Sequence, residues 1–308
     1  MVNFLKNFIN RFYCYFNKII FNYKSQKISK LFRKLSKLNK IYIYDFGAGL
    51  RYLPTLLKFD GISKIHLIDP NDNLEVSYKN LKNLFLDKSS IKKYKVAISE
   101  KNEKIFYYPA KQSTGSSFIN LKKIGKEKEF SQSYFGDEKK ILKQVYDFET
   151  FKKKNHLKNP DIIKIDVEGF EFKILKSILK KNKPLIIEIE VNFDSSLTGD
   201  TFLQVHNILK KNNYRLNTIY PVYRINDDKI GGEKDIFLKG DYHNPLSRNE
   251  INQSDCYYIL DKKYYDLRDV VMLFGYGFVI KAKKEFVKIK KNLEATQIKI
   301  LEKLFKLL

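Results

Sequence analysis

The run Ile162-Ile-Lys-Ile-Asp-Val-Glu-Gly-Phe-Glu171 constrains the fold of this chain more than any other segment. Its apolar residues stop at Asp166 and Glu168, a glycine follows, and residues 170–181 then have helical spacing. This pattern predicts a buried parallel strand, a tight turn and an amphipathic helix. Ligands of open α/β sheets bind at the carboxyl ends of the strands, so Asp166 and Glu168 are candidate site residues.

Short apolar runs of the same kind recur along the chain and alternate with segments of helical spacing. The predicted strands are 41–46, 65–68, 94–99, 104–109, 162–167, 184–191, 215–220 and 236–239, and the predicted helices are 50–59, 72–86, 146–154, 170–181 and 200–212. The alternation predicts an α/β fold with a mostly parallel, doubly wound sheet and helices on both faces. The polar insert at 111–143, which contains Ser113-Thr-Gly-Ser-Ser117, is either a lid or substrate loop or an ordinary turn.

The two ends of the chain differ from this central part. Residues 1–40 contain no acidic residue, and their aromatic and aliphatic residues recur at helical spacing among lysines. This basic amphipathic helical segment either packs on the main domain or contacts an anionic membrane surface. Helical periodicity returns near the other end, from Tyr257 to Leu308. We therefore predict three parts: a basic amphipathic N-terminal helical segment (1–40), a central α/β domain (41–240) and a helical C-terminal extension (241–308).

The formal net charge of +24 raises the question of a nucleic-acid partner. Lysines are spread along the whole chain, and the abundant residue types share AT-rich codons, so a specific nucleic acid is not the expected partner. The charge still favours anionic substrates or lipids.

No run of about 20 apolar residues is present, and Cys14 and Cys256 lie far apart. We expect a cytoplasmic protein, with a peripheral contact on the inner face of a membrane as an open alternative.

The first two strands carry the pattern of a nucleoside-containing cofactor site. A glycine turn follows the first strand, and Asp69 ends the second, where a carboxylate can accept both ribose hydroxyls. A dinucleotide fingerprint would have a third glycine at Tyr52, and an acid before the turn would repel a pyrophosphate but suits the cationic end of S-adenosyl-L-methionine. The predicted cofactor-binding residues are Asp45, Gly47, Ala48, Gly49 and Asp69.

With these motifs in order, the chain resembles the FkbM family of S-adenosylmethionine-dependent methyltransferases over about residues 41–240. The shared motifs are Asp45-Phe-Gly-Ala-Gly, Ile68-Asp-Pro, Val96-Ala-Ile-Ser, Ser113-Thr-Gly-Ser-Ser, Lys164-Ile-Asp-Val-Glu-Gly-Phe-Glu and Ile186-Ile-Glu-Ile. The resemblance implies a class I Rossmann-like fold and methylation of hydroxyl oxygens, commonly on sugars or other secondary metabolites. The chain departs from the family pattern at Arg51, where a glycine is usual, and at Ile68-Asp69-Pro70, where Phe-Glu-Pro is usual.

Asp166 and Glu168 are the predicted catalytic residues, because a carboxylate can accept the proton of an alcohol or hydrogen-bond a sugar hydroxyl. Two acids at this spacing could also bind a divalent cation, but no histidine or third acid pairs with them by spacing, so we predict no metal site. Structural alternatives stay open: Asp166 as a helix cap, Glu171 in a solvated first turn, and Lys164 in a salt bridge or a substrate contact.

The predicted function is O-methyl transfer from S-adenosyl-L-methionine to a saccharide, glycoconjugate or related metabolite, as in polysaccharide biosynthesis. Two alternatives stay open. One is a non-catalytic membrane- or glycan-binding protein on the same fold, which Arg51 and the basic N-terminal segment favour. The other is an RNA methyltransferase, which the charge favours, although the Asn/Asp-Pro-Pro-aromatic motif of exocyclic amine methylation is absent from the sequence.

Overall fold

A computed structural model describes residues 21–35, 38–48, 54–109, 116–118, 140–193, 202–225, 237–239 and 251–307. The strands are β1 (Ile41–Phe46), β2 (Ser63–Ile68), β3 (Ile91–Tyr94), β4 (Ala97–Ser99), β5 (Glu103–Tyr107), β6 (Ile141–Asp147), β7 (Ile162–Ile165), β8 (Ile186–Asn192), β9 (Tyr214–Ile225), β10 (Phe237–Lys239) and β11 (Ile251–Leu260). The α-helices are α1 (21–32), α2 (Leu74–Leu84), α3 (Phe148–Lys154), α4 (Glu171–Leu179), α5 (Phe202–Lys211), α6 (Leu267–Gly275), α7 (Val279–Ile289) and α8 (Ala295–Phe305).

The main sheet of the described chain has eight strands in the order β10-β9-β11-β8-β7-β1-β2-β3. Neighbours from β8 to β3 pair in parallel, whereas β11 runs antiparallel to both β8 and β9. A smaller sheet has the order β4-β6-β5. Buried isoleucines make up most of β7 and β8, as expected for strands that are covered on both faces. The predicted doubly wound, mostly parallel α/β sheet is confirmed.

Helices cover both faces of the main sheet. On one face, α1, the 3-10 helix Pro54–Phe59 and α6–α8 bury a core in which the rings of Phe32 and Phe274 meet edge to face at 6.1 Å. On the other face, α3, α4 and α5 cover the strands with side chains such as Phe148, Leu175 and Leu209. Because both faces are covered, the carboxyl ends of the parallel strands are the natural place for a ligand.

The third predicted strand, 94–99, is divided between the two sheets. Residues up to Tyr94 belong to β3 at the edge of the main sheet, and residues from Ala97 form β4 in the small sheet. The chain therefore turns away from the main sheet at Lys95 and Val96. This turn makes Val96 and Ala97 part of the wall of a cleft that is described below.

The C-terminal extension is the main correction to the predicted organisation. Helices α6, α7 and α8 are present, but residues 251–260 form β11, which lies between β8 and β9 inside the main sheet. The prediction of helix from Tyr257 onward was therefore wrong for this segment. Pairing with β8 and β9 provides partners for the backbone N–H and C=O groups of β11, and its apolar side chains pack into the cores on the two faces of the sheet. No helix in the described part of the chain is long and apolar enough to cross a bilayer.

Candidate active site

A narrow cleft lies where the carboxyl ends of β1, β2 and β7 meet, and its volume is about 70 Å³. Its walls come from strand ends and from residues 116–118, which lie across it. The lining residues are Phe46, Gly47, Ile68, Asp69, Pro70, Asn71, Val96, Ala97, Ile98, Tyr107, Ser116, Phe118, Asp166, Val167, Glu168, Phe170 and Ile174. The structure thus brings together four of the predicted site residues: Gly47, Asp69, Asp166 and Glu168. We call this space the strand-end cleft.

Gly47 makes the turn that ends β1, with a positive φ of 81°. A Cβ atom at this position would lie 1.7 Å from the backbone oxygen of Asp166. The glycine is therefore required by the close crossing of two backbones, since its own chain must pass directly over the end of β7. Ala48, the next residue, is buried. Gly49 and Arg51 lie outside the described residues.

Asp69 follows β2 and is held in a fixed orientation at the rim of the strand-end cleft. Its carboxylate accepts the backbone N–H of Asn71 at 2.7 Å, an Asx turn that Pro70 completes. Lys143 donates to the carbonyl of Pro70 at 2.7 Å and so braces the same turn from β6. Asp69 is 8% exposed. A carboxylate in this position can accept hydrogen bonds from vicinal hydroxyl groups of a bound ligand.

Asp45 occupies a different place from the other predicted cofactor residues. It is buried in β1, and its register partner on β7 is Lys164. The charge of Asp45 also contributes to raising the pKa of Glu188. Asp45 is thus part of a buried charged row across three neighbouring strands, and it is not among the described residues that line the strand-end cleft.

Asp166 forms a buried ion pair with Lys164, whose Nζ lies 2.8 Å from Oδ2. Both side chains are almost fully buried, at 4% and 3% exposure for Lys164 and Asp166. The alternative of Asp166 as a helix cap is wrong, because α4 has Phe170 as its N-cap residue and no capping side chain. The salt-bridge interpretation of Lys164 is confirmed, although the pair is buried rather than at a sheet edge. Lys164 offers the Asp166 carboxylate a compensating positive charge within the protein.

Glu168 sits in a strained turn at the mouth of the strand-end cleft. Its φ is +56°, and Gly169 follows at +94°, so two successive residues have left-handed backbone conformations. The backbone oxygen of Glu168 accepts the hydroxyl of Ser117 at 2.5 Å. Ser117 also exchanges two backbone hydrogen bonds with Tyr108. This contact joins the end of the 113–117 motif to the turn after β7; residues 113–115 lie outside the described residues.

Glu171 has a role that the sequence interpretation missed. We expected a solvated first turn, but the side chain is buried and folds back over the turn. Its carboxylate accepts the N–H of Val167 at 2.9 Å and the N–H of Gly169 at 2.9 and 3.1 Å. Burial raises its pKa to about 7, although these hydrogen bonds act in the opposite direction. Glu171 therefore positions the turn that carries Asp166 and Glu168.

Three acids from three strands converge beside the strand-end cleft. Carboxylate oxygens of Asp166, Glu190 and Asp255 lie within 4.8 Å of one another, and all three residues are buried. Such a set could hold a divalent cation, and it differs from the Asp166–Glu168 pair that we considered from the sequence. Asp255 was missed because its segment was assigned to a helix. The aromatic and aliphatic run Tyr257-Tyr-Ile-Leu260 was the available signal for a strand, and it is equally compatible with a helix.

A second space, which we call the aromatic cavity, lies between the main sheet and the C-terminal helices. It has a volume of about 280 Å³ and is lined by Thr55, Leu56, Glu188, Thr218, Tyr257, Tyr276, Gly277 and Phe278. The hydroxyl of Tyr276 donates a hydrogen bond to Glu188. Burial raises the pKa of both groups. Of the two acids on β8, Glu188 thus faces the aromatic cavity, and Glu190 lies beside Asp166.

Comparison with known proteins gives a match to one family, the Methyltransferase FkbM domain, over residues 47–216. No curated protein sequence matches the chain. A solved FkbM methyltransferase from Methylobacillus flagellatus KT is similar at 14% identity and a TM-score of 0.40, over 71% of this chain and 43% of that one. A precorrin-6y C5,15-methyltransferase from Geobacter metallireducens GS-15 is similar at 11% identity and a TM-score of 0.36, over 75% and 86%. With TM-scores below 0.5, these structures add nothing to the family match.

Proposed function

The chain belongs to the FkbM methyltransferase family, since the matched residues 47–216 are more than half of its 308, and we propose that it is an S-adenosylmethionine-dependent O-methyltransferase. The acceptor we propose is a hydroxyl group of a saccharide, glycoconjugate or related metabolite. The observation that carries the proposal is the strand-end cleft, in which Asp69 and Asp166 lie at the ends of two strands that flank β1.

The residues of the strand-end cleft fit the proposed cofactor. Asp69 can accept the two ribose hydroxyls, while Val96, Ala97 and Ile98 provide an apolar wall beside it for an adenine ring. The turn at Gly47 has no side chain that would obstruct the space above β1. When bound, the cofactor supplies an activated methyl group on a sulfonium.

The chain's own residues would align the acceptor and take up its proton. An acceptor hydroxyl would have to be aligned with the methyl group of the cofactor, and its proton would pass to a base as it reacts. Asp166 and Glu168 are the carboxylates that line the strand-end cleft on the β7 side. The ion pair with Lys164 restrains the carboxylate of Asp166, so a hydroxyl that hydrogen-bonds to Asp166 would be held in one orientation.

Titration calorimetry with S-adenosylhomocysteine tests the cofactor assignment. We expect binding by the wild-type protein and a loss of about 10- to 100-fold in affinity for Asp69→Ala, because a charged acceptor of hydrogen bonds is removed. Asp72→Ala is the matched control, since Asp72 lies three residues away, is highly exposed and pairs with Lys95. The proposal fails if folded wild-type protein does not bind at millimolar ligand. Equal losses in the two variants would remove Asp69 from the site.

A further inference from the structure

The aromatic cavity is built from parts of the chain that the family match does not include. Tyr257 comes from β11, and Tyr276, Gly277 and Phe278 form the connection between α6 and α7. All four lie beyond residue 216, where the family match ends. The sheet contributes Glu188 from β8 to the same space. The C-terminal helices therefore complete a cavity that the central sheet alone would leave open.

Three aromatic rings form one part of the wall of the aromatic cavity. The ring centroid of Tyr257 lies 6.3 Å from that of Tyr276 and 6.2 Å from that of Phe278, and the rings of Tyr276 and Phe278 are 6.2 Å apart and nearly parallel. The volume of about 280 Å³ is near the lower end of the roughly 300–1,000 Å³ of small-molecule sites. Aromatic walls beside polar groups such as Glu188 and Thr218 suit one ring-shaped ligand that has an apolar face and a polar edge.

The polar groups of the aromatic cavity suit a neutral ligand with hydroxyl groups. No lysine or arginine is among its described lining residues, although the chain has 59 of them, so a phosphorylated or carboxylated ring would find no countercharge. Glu188 can accept hydroxyl hydrogen bonds. A cation is disfavoured, because Lys164 already lies beside Glu188 and lowers its pKa against the effect of burial.

The aromatic cavity is also close to the proposed reaction site. Glu188 is the register partner of Lys164 on the adjacent strand, and Lys164 contacts Asp166 at 2.8 Å. Neighbouring strands lie about 4.8 Å apart. A ligand that reaches Glu188 is therefore separated from Asp166 by a single side chain.

From these observations we infer that the aromatic cavity binds the acceptor as an uncharged pyranose ring, and that β11 and the C-terminal helices together supply half of this acceptor site. The inference rests on the proposed methyltransferase function, because a ring held there would present another of its hydroxyl groups to Asp166, and that hydroxyl would receive the methyl group. It also assigns a role to the part of the chain outside the family match.

The test is saturation-transfer NMR with methyl glycosides of common neutral hexoses and deoxyhexoses, in the presence of S-adenosylhomocysteine. Thr218→Trp is the informative variant, because Thr218 is exposed at the rim and an indole would fill the opening without disturbing the core. Leu203→Trp is the control, since Leu203 is 64% exposed and lies on α5, which covers the opposite face of the sheet.

We expect at least one glycoside to bind the wild-type protein, Thr218→Trp to weaken this binding roughly tenfold or more, and Leu203→Trp to bind as wild type. Calorimetry should show unchanged S-adenosylhomocysteine binding in both variants. The inference is overturned if no glycoside binds a wild-type protein that does bind S-adenosylhomocysteine, or if Thr218→Trp binds as well as wild type. It is equally overturned if hexose phosphates or tetramethylammonium bind better than the neutral glycosides.

The two proposals can fail separately. Glycoside binding that Thr218→Trp abolishes, in a protein that does not bind S-adenosylhomocysteine, would support the aromatic cavity as a saccharide site and reject the methyltransferase proposal. The reverse result, with cofactor binding alone, would retain the proposed function and reject the cavity as its acceptor site.

Discussion

The strand-end cleft and the aromatic cavity differ in how they are built. Backbone turns form the strand-end cleft, in which Gly47, Asp69 and Asp166 each directly follow the last residue of a strand. Packing forms the aromatic cavity, whose lining residues range from Thr55 to Phe278 along the chain. Short local motifs therefore specify the strand-end cleft, whereas the aromatic cavity forms only when segments that are distant in sequence pack together.

The difference predicts that the two spaces respond differently to mutation. Changes to the turns of the strand-end cleft should damage the fold itself, because the backbones there are in direct contact. Changes at the rim of the aromatic cavity should alter binding and leave the fold intact. Lys164 belongs to both regions, since it contacts Asp166 and lies beside Glu188.

The largest effect is expected from Gly47→Ala compared with Gly277→Ala. Both glycines have positive φ, but a Cβ at Gly47 would collide with the Asp166 backbone, whereas a Cβ at Gly277 meets nothing within 4 Å. We expect a loss of roughly 4 kcal/mol or more in the free energy of unfolding at Gly47. At Gly277 we expect about 1–2 kcal/mol from backbone strain alone. Urea denaturation measures both, and equal losses would contradict the contrast between the regions.

The next effect is expected from Lys164→Met, which leaves the Asp166 carboxylate buried without its ammonium partner. Breaking one side of a buried ion pair costs about 3–5 kcal/mol. Lys176→Met is the matched control. The Lys176–Glu100 ion pair has a similar N–O distance, 2.9 Å, but both of its side chains are 36% exposed. An exposed pair contributes about 0–1 kcal/mol. Similar stability losses in the two variants would show that Lys164 does not anchor the charged row.

Glu171 should show an intermediate effect that depends on the replacement. Glu171→Ala leaves the buried N–H groups of Val167 and Gly169 without this acceptor, at roughly 1–3 kcal/mol for each. Glu171→Gln keeps one side-chain oxygen and should lose less. Chemical denaturation of both variants tests this order. If alanine proves no worse than glutamine, the carboxylate does not hold the turn.

The pH dependence of the free energy of unfolding should also include a contribution from Glu171. Its pKa in the folded protein is about 7, above the ordinary value of 4.5, because burial disfavours the charged form. Between these values the folded state binds more protons than the unfolded state, so this residue's contribution to stability falls as pH rises from about 4.5 to 7. Urea midpoints between pH 5 and 8 should decline less in Glu171→Gln than in the wild type. If the urea midpoints of the two proteins change with pH in the same way, the raised pKa of Glu171 is disproved.

The smallest effect per residue is expected for lysines on α1, a helix that lines neither the strand-end cleft nor the aromatic cavity. Lys24, Lys27 and Lys30 are exposed on it, and Tyr23 is 57% exposed beside them. We propose that this surface contacts anionic lipid, with about 1 kcal/mol from each lysine. Flotation with phosphatidylserine vesicles should show weaker binding when all three become glutamine. The same change at the exposed Lys79, Lys88 and Lys92 is the control, and equal loss there would indicate a nonspecific charge effect.

The sequence was sufficient to predict the strand-end cleft but not the aromatic cavity. Asp69 and Asp166 were placed correctly beside one cleft because parallel strands bring their carboxyl ends together whatever their separation in sequence. The position of β11 depends on pairing with β8 and β9, and its own residues Tyr257-Tyr258-Ile259-Leu260 are compatible with either a strand or a helix. Asp255 and Tyr257 could not be placed without that pairing.

The role of Glu171 was hidden for a different reason. Its spacing from Val167 and Gly169 is local, but the side chain can reach both N–H groups only because Glu168 and Gly169 take left-handed conformations. A non-glycine residue with positive φ is uncommon, and no propensity marks Glu168 as one. Local sequence therefore suggested a solvated acid where the fold has a buried one.

The central position of β11 has a consequence for how the protein is made. A ribosome delivers β8 long before β11, and until residue 260 has emerged the exposed edges of β8 and β9 have no partner between them. During that interval the edges of β8 and β9 either stay unpaired or form hydrogen bonds with the wrong strands. Any fragment that stops at the end of the family match would keep these edges open, and so would be prone to aggregate. Expression of the catalytic segment therefore requires the C-terminal residues as well.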